Sequence, residues 1–301
     1  MRELLSLDNP RGYGQPGSDT DSTEHGKICT AHDIDMLCRH TGAIQEVVSL
    51  PNGIHNLIRL NAPNAKHTVV LIAGGSHELY CMDSAIYPEG FIMPANTLDK
   101  WMQHNINVVL VSQPYPMPWG MLASLSARFT KNMADKLLFY KKAETDPDKI
   151  YITRFLKFVE DMHRLVEMLS VDTKVWLAGH CSSAEMIVQY CNTTQTQKPH
   201  GIVLWSPVWL SKKQNPQLTQ YFLSDINIPV IAVQHKDDSC QHTGVELSEF
   251  VIAGCPSDKK KLVILEGGID QGCPCFSMGH HGYRGIEDRL VKETADFINE
   301  H

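Results

Sequence analysis

The sequence predicts an α/β protein built on one mostly parallel, twisted sheet with helices on both faces. Three observations carry that expectation. Runs that are apolar at nearly every position recur along the chain, among them Val69-Val-Leu-Ile72, Val108-Val-Leu-Val111 and Ile202-Val-Leu-Trp205, the pattern of strands covered on both faces. Amphipathic helical stretches alternate with these runs, which is the order of a layered sheet. And from Lys174 to Tyr190 an apolar strand runs into a helix through a tight turn, Gly179-His-Cys-Ser-Ser183.

The elements follow in order. Residues 1–40 are rich in Asp, Ser, Gly and His without clear periodicity, and read as a polar N-terminal extension, mobile or draped over the surface. Residues 41–301 form one domain. Ile44 to Leu50 and Ile54 to Leu60 read as a hairpin turning at Pro51-Asn-Gly53, and Thr68 to Ala73 as a buried strand. Pro94 to His104 reads as a helix, and Val108 to Val111 as the next strand. Gln113-Pro-Tyr-Pro-Met-Pro-Trp119 lacks the amide donors of regular structure. Asp146-Pro-Asp-Lys149 is a helix-start signal, and the helix it opens carries Phe158, Val159, Met162, Leu165, Val166 and Leu169 along one face. After the strand-turn-helix come strands at Gly201 to Trp205, Pro229 to His235 and Lys261 to Leu265, then a helix from Ile286 to Ile298.

Composition narrows the class of function. The chain has 301 residues, 43% hydrophobic and 20% charged, as in an ordinary globular protein. A formal charge of −7 leaves no basic footprint for nucleic acid. No apolar run approaches the roughly 20 residues of a membrane span. The polar start, Met1 to Pro10, is unlike a signal peptide, so a cytoplasmic location is expected. Nine cysteines without paired CxxC knuckles give no zinc signal. Oligomeric state has no sequence signal.

In a sheet of this kind function sits outside the carboxyl ends of the strands. After the strand at 68–73 come Gly74, Gly75 and Ser76; after that at 174–178 comes Cys181; after that at 229–235 comes Asp238; and a Gly- and Cys-rich loop after the last strand leads to Gly279-His-His-Gly-Tyr283. Nucleophile, acid and base in that order, each beyond a strand end, resemble the triad of the α/β-hydrolase superfamily over residues 44–301. The thiol at the elbow resembles the dienelactone-hydrolase-like branch, and His281-Gly-Tyr283 resembles hydrolases whose catalytic His precedes Gly and an aromatic residue.

The resemblance implies a hydrolase of esters, thioesters or lactones. Cys181 is the expected nucleophile, His281 the base and Asp238 the acid, with backbone donors at Ser182 and at Gly75 or Ser76 forming the oxyanion hole. Ser182 and Ser183 compete as nucleophile, His280 competes with His281, and Asp237 is the less favoured acid. His77, Trp119 and Trp209, with Met117 and Trp205, are candidate pocket residues. The connection 206–228 is too short for a large cap. If acid and base meet, Cys240 meets Cys275 or Cys273, and a disulfide there would argue for export. A metal cluster of Cys240, His242, Cys273 and Cys275 is a weaker alternative. The reading calls for no cofactor and no metal, and for a small acyl substrate as partner. A catalytically idle fold used for binding, or an acyltransferase or peptidase on the same triad, are the competing functions.

Overall fold

The computed structural model describes residues 27–74, 80–81, 93–111, 147–193, 198–208, 223–240, 242–271, 274–275 and 278–301. Its strands are β1 (Lys27–Ile28), β2 (Ile44–Leu50), β3 (Gly53–Leu60), β4 (His67–Ile72), β5 (Tyr80–Cys81), β6 (Ile106–Val111), β7 (Lys174–His180), β8 (Gly201–Trp205), β9 (Val230–His235) and β10 (Lys260–Leu265). The α-helices are α1 (Ala31–Thr41), α2 (Pro147–Leu169), α3 (Ser182–Thr193), α4 (Val245–Gly254) and α5 (Glu287–Glu300).

Eight strands form one sheet in the order β10-β9-β8-β7-β4-β6-β3-β2, and β1 and β5 pair separately. From β6 through β4 to β10 every neighbour is parallel, whereas β3 runs antiparallel to both β2 and β6. The inner parallel strands β4, β6, β8 and β9 are buried along their length because both faces are covered, whereas the edge strand β10 is only partly buried. On β4, Val70 and Ile72 join a cluster with Met162, Leu165 and Val166 of α2 and Ile187 of α3, while Val69 and Leu71 join the opposite cluster with Leu290, Val291 and Ile298 of α5. Each such side chain, fully removed from water, contributes about 1.5–3 kcal/mol.

Two elements sharpen the sequence reading. The helix expected over Pro94 to His104 is present, as a 3₁₀ helix at Ala95–His104. Ala95, Leu98 and Trp101, all fully buried, recur every third residue, which suits three residues per turn. The last part of the polar extension is also structured. α1 is capped by Thr30 and Asp33, whose side chains each accept the other's backbone N–H at 3.2 and 2.8 Å. It buries Leu37 completely. Residues 1–26 lie outside the described residues, as do 112–146 and 209–222, so the Pro-rich stretch and most of the 206–228 connection do too.

A buried hydrogen bond braces the hairpin. His55 on β3 meets Asp161 on α2 at 2.8 Å, with both side chains almost wholly buried, and Asp161 also accepts the backbone N–H of Asn52 at 2.9 Å. This partner lies 106 residues from His55, beyond any local sequence signal.

Candidate active site

The sheet order sets the location. β4 is followed in the sheet by β6 on one side and β7 by β8 on the other, so the connections leaving these two neighbours run to opposite sides and open a crevice at their carboxyl ends. Cys181 stands there, between the last residue of β7 and the first of α3, with φ at +59°. A non-glycine residue held left-handed is strained by about 1–3 kcal/mol. The surrounding bonds fix it: its N–H donates to Trp205 O at 2.9 Å, and its carbonyl accepts from Ala184 and Val208 N–H at 3.2 and 3.3 Å.

So tight a turn needs small neighbours. A Cβ on Gly179 would lie 2.7 Å from both Ile187 Cδ1 and the Ser183 carbonyl carbon. A Cβ on Gly74, just after β4, would lie 2.5 Å from His180 O and 2.9 Å from Cys181 Cβ. Gly74 therefore lies directly against His180 and Cys181. Ser183 fits because its hydroxyl is absorbed: Oγ is 2.8 Å from each of the Ile72 and His180 carbonyl oxygens. With its oxygen engaged by two strand ends, Ser183 is not placed as a nucleophile.

The structure brings Asp238 and His281 together with Cys181. Asp238 follows β9 and His281 lies in the 3₁₀ turn His280–Gly282. His281 Nδ1–H donates to Asp238 Oδ2 at 3.0 Å, and both side chains are at most 1% exposed. That bond leaves Nε2 as the basic nitrogen. Nε2 has no hydrogen bond of standard geometry, yet Cys181 is close enough to act on the imidazole's charge. Burial disfavours the imidazolium, but the Asp238 hydrogen bond and the Cys181 thiol outweigh it and raise the pKa to about 10. Burial likewise opposes ionisation of Asp238. Its bonds from His281, the Cys240 amide and Thr243 prevail and hold it down at about 2.

His281 is anchored from behind. The His281 carbonyl accepts from His180 Nε2 at 2.9 Å and from Ser206 Oγ at 3.1 Å. Tyr283, fully buried, donates its hydroxyl to Val233 O at 2.6 Å and accepts from Ser206 N–H at 3.0 Å. His180 is buried, which lowers its pKa to about 3 and keeps it a neutral donor. Sequence alone gives the His-Gly-aromatic spacing but not that the tyrosine ties this turn to the ends of β8 and β9.

The competing candidates fall elsewhere. His280 stacks on His235 at 4.1 Å and its Nδ1 lies 3.3 Å from Asp237 O, so it points away from the Asp238–His281 pair. Asp237 is exposed and turned from His281. Trp205, weighed as a pocket residue, is fully buried in the core, stacked on Trp101 and bonded through Nε1 to Thr294 at 3.1 Å. Strand alternation turns it to the α5 face of the sheet. Ser182 opens α3, where helix amides carry partial positive charge. Gly75, Ser76, His77, Met117, Trp119, Trp209 and Cys273 lie outside the described residues.

Cys240 is bonded to Cys275, joining the loop of Asp238 to the loop before His281. With both sulfurs engaged, the metal cluster built on Cys240 and Cys275 is excluded. His235, Asp237 and His280 bring one donor atom each within 4.8 Å. They are poorly arranged to hold an ion. His235 Nε2–H donates to Gly267 O at 2.7 Å and its Nδ1 accepts from Asp237 N–H at 3.1 Å. The two rings also stack within 13° of parallel, so their in-plane lone pairs run side by side instead of converging.

Strand order, the crevice between β4 and β7, and the strained strand-to-helix turn together make this an α/β-hydrolase fold. Solved structures share it. A predicted CIB-like hydrolase from Thermoplasma acidophilum matches with a TM-score of 0.53 at 14% identity, covering 86% of this chain and 99% of its own. Dienelactone hydrolase from Anabaena variabilis matches at 0.52 and 11% identity, covering 86% and 97%. A soluble variant of monoglyceride lipase from Saccharomyces cerevisiae gives 0.52 and 11%, covering 86% and 95%. No family model and no curated relative matches the chain. Among the described residues, no helix is long and apolar enough to cross a membrane.

Proposed function

We propose that the protein transfers the acyl group of an ester, thioester or lactone to water through Cys181, His281 and Asp238. One observation carries this reading: a thiol on a strained elbow acts on an imidazole whose other nitrogen is bonded to a buried carboxylate. His281 Nε2 takes and holds the thiol proton, and the sulfur so freed attacks the acyl carbon. The tetrahedral oxyanion is held by the Ser182 amide and by an amide at Gly75 or Ser76, the residues that follow Gly74 in sequence. The carbon–oxygen bond then breaks, His281 returns the proton to the leaving alcohol, and an acyl-thioester remains. Water, deprotonated by the same nitrogen, attacks this thioester and releases the acid and the thiol. Asp238 holds the imidazole tautomer and offsets its transient charge. His77, Trp119 and Trp209 are proposed to line the acyl pocket.

The names of similar structures, a lipase and a dienelactone hydrolase, support the substrate class by analogy of fold. The Cys240–Cys275 bond favours an oxidising compartment.

A panel of p-nitrophenyl esters and thioesters tests the proposal. Cys181→Ala and His281→Ala are expected to lose about 10³-fold or more in kcat/KM, and His280→Ala to stay near wild type. Equal turnover by wild type and Cys181→Ala would refute the mechanism. No turnover of any ester, together with no alkylation of Cys181 by iodoacetamide, would assign the fold to binding instead.

A further inference from the structure

The Asp238 carboxylate collects more hydrogen bonds than its imidazole requires. Oδ2 accepts from His281 Nδ1 at 3.0 Å, from Gln234 Nε2 at 2.9 Å and from Thr243 Oγ1 at 2.8 Å. Oδ1 accepts the Cys240 N–H at 3.0 Å. Gln234 belongs to β9 and is fully buried. Its amide is fixed from both ends. The NH₂ faces two acceptors, Asp238 Oδ2 and, at 3.3 Å, His235 O, while Oε1 accepts from Ser248 Oγ of α4 at 3.0 Å. The reverse orientation would set the amide oxygen against two oxygen acceptors, so the surroundings decide it.

We propose that Gln234 and Thr243 are positioning residues for the triad acid, with Ser248 holding Gln234 in place. The inference rests on the triad reading above. A carboxylate whose side chain is 0% exposed is pushed by desolvation toward its neutral form. A neutral Asp238 would lose its attraction for the imidazolium and would have to place a proton among three donors that already fill Oδ2. Gln234 and Thr243 remove that option. They keep the acid ionised and keep Oδ2 in line with Nδ1, so that His281 presents Nε2 to the thiol throughout the cycle. Neither residue carries a charge, and neither touches the reacting carbon. The titratable groups that act with Asp238 are His281 and Tyr283 on the turn of the base, His180 at the end of β7 and His235 on its own strand. Burial lowers the pKa of both His180 and His235. Because these neighbours are unchanged by substitution at 234 or 243, the difference between variant and wild-type pH profiles isolates Asp238.

The test compares Thr243→Val, Thr243→Ser, Gln234→Met and Ser248→Ala in kcat/KM against pH with a p-nitrophenyl ester. Thr243→Val and Gln234→Met should each lose roughly 10- to 100-fold, the worth of one hydrogen bond to a charged group. The loss should fall mainly on kcat, and the acid limb should move up by about one pH unit as Asp238 becomes easier to protonate. Thr243→Ser should restore both, and Ser248→Ala should shift the limb in the same direction by less. Since Gln234→Met and Ser248→Ala approach the carboxylate from the other side, a Thr243→Val that folds poorly does not leave the question open. An acid limb that stays fixed in these variants, or a Thr243→Ser as impaired as Thr243→Val, would overturn the inference while Cys181→Ala remained inactive. A fully active Cys181→Ala would overturn the triad itself, and the positioning role with it.

Discussion

Cutting the Cys240–Cys275 bond tests how far the active-site loops depend on a covalent tie. The bond closes a loop of 35 residues that runs from just after the acid to just before the base. Chain-entropy arguments give a loss of about 13 cal/mol/K for a loop that long, or about 4 kcal/mol of stability at 25 °C. Total stabilities of about 5–15 kcal/mol are usual, so the bond would be a large fraction of the whole. It also touches the site. The Cys240 N–H is one of four donors to Asp238, so freeing its loop weakens the hold on the acid without removing any triad member. Cys275→Ser makes the cut while leaving Cys240 and its amide in place. Urea unfolding should show Cys275→Ser and dithiothreitol-reduced wild type losing the same stability, about 2–4 kcal/mol against the oxidised protein. Their kcat/KM on a p-nitrophenyl ester should drop by less than about tenfold, since one of the four hydrogen bonds is loosened and none deleted. Equal unfolding of oxidised and reduced wild type would refute the reasoning. So would a Cys275→Ser variant as stable as the oxidised form.

The His281–Asp238 pair should make stability depend on pH with a defined sign. Asp238 has its folded pKa lowered from 3.8 to about 2, so its contribution, of order 2–3 kcal/mol, is present above pH ~4 and lost as pH falls through about 2. His281 has its pKa raised from 6.5 to about 10, so the same interaction is fully present below pH 6.5 and lost as pH rises through about 10. The two shifts describe one coupled interaction and are not added. The stability gap between wild type and His281→Gln is therefore expected to be widest between pH ~4 and 6.5, and a gap that widens toward pH 10 would contradict the pairing. Gly74→Ala places a methyl group 2.5 Å from His180 O and 2.9 Å from Cys181 Cβ, so the β4 loop must retreat from the elbow. It should cost about 1–3 kcal/mol in thermal unfolding and lower kcat more than KM. Unchanged turnover would mean that this loop does not form part of the site.

Much of the fold was legible because the parallel strands are covered on both faces. β4 is buried at all six positions and apolar from Val69 to Ile72, and such runs stand out in a sequence. α1 was not legible. Its core face is short, Leu37 with Ile34 and Cys38 packed beside it, and is interrupted by Asp33, Asp35 and Arg39, so that the capping pair Thr30 and Asp33 is the clearer mark of its start. α4 is short and apolar nearly all round, so its periodicity does not distinguish it. At the site, the chemistry-bearing residues were readable because each follows a strand end. Their supports were not. Gln234 and Ser248 are 14 residues apart, and Ser206 and Tyr283 are 77 apart. They meet only after the sheet has formed, and nothing in their spacing announces the meeting. Trp205 misled because a tryptophan near a strand end suits a pocket as well as a core. The decision lies in strand alternation, which a run apolar at every position does not reveal.

The least regular feature of the elbow turns out to be the one that joins its parts. A serine at position 183, two residues past the nucleophile, departs from the glycine commonest there. In the turn as folded, the closest approaches fall instead on Gly179 and Gly74, where any Cβ would lie under 3.0 Å from its neighbours. Position 183 has room for a side chain, provided its polar atom finds acceptors, because a buried hydroxyl left unbonded would cost about 1–3 kcal/mol. Ser183 Oγ lies 2.8 Å from the carbonyl of Ile72, the last residue of β4, and 2.8 Å from that of His180, the last residue of β7. The hydroxyl thus fastens together the two strands whose ends define the crevice. The same His180 extends its imidazole to the carbonyl of His281, so the elbow, the end of β4 and the His280–Gly282 turn are joined through one buried set of bonds. Cys181 in such a frame owes its position to the ends of β4, β7 and β8, whose hydrogen bonds together hold its left-handed φ.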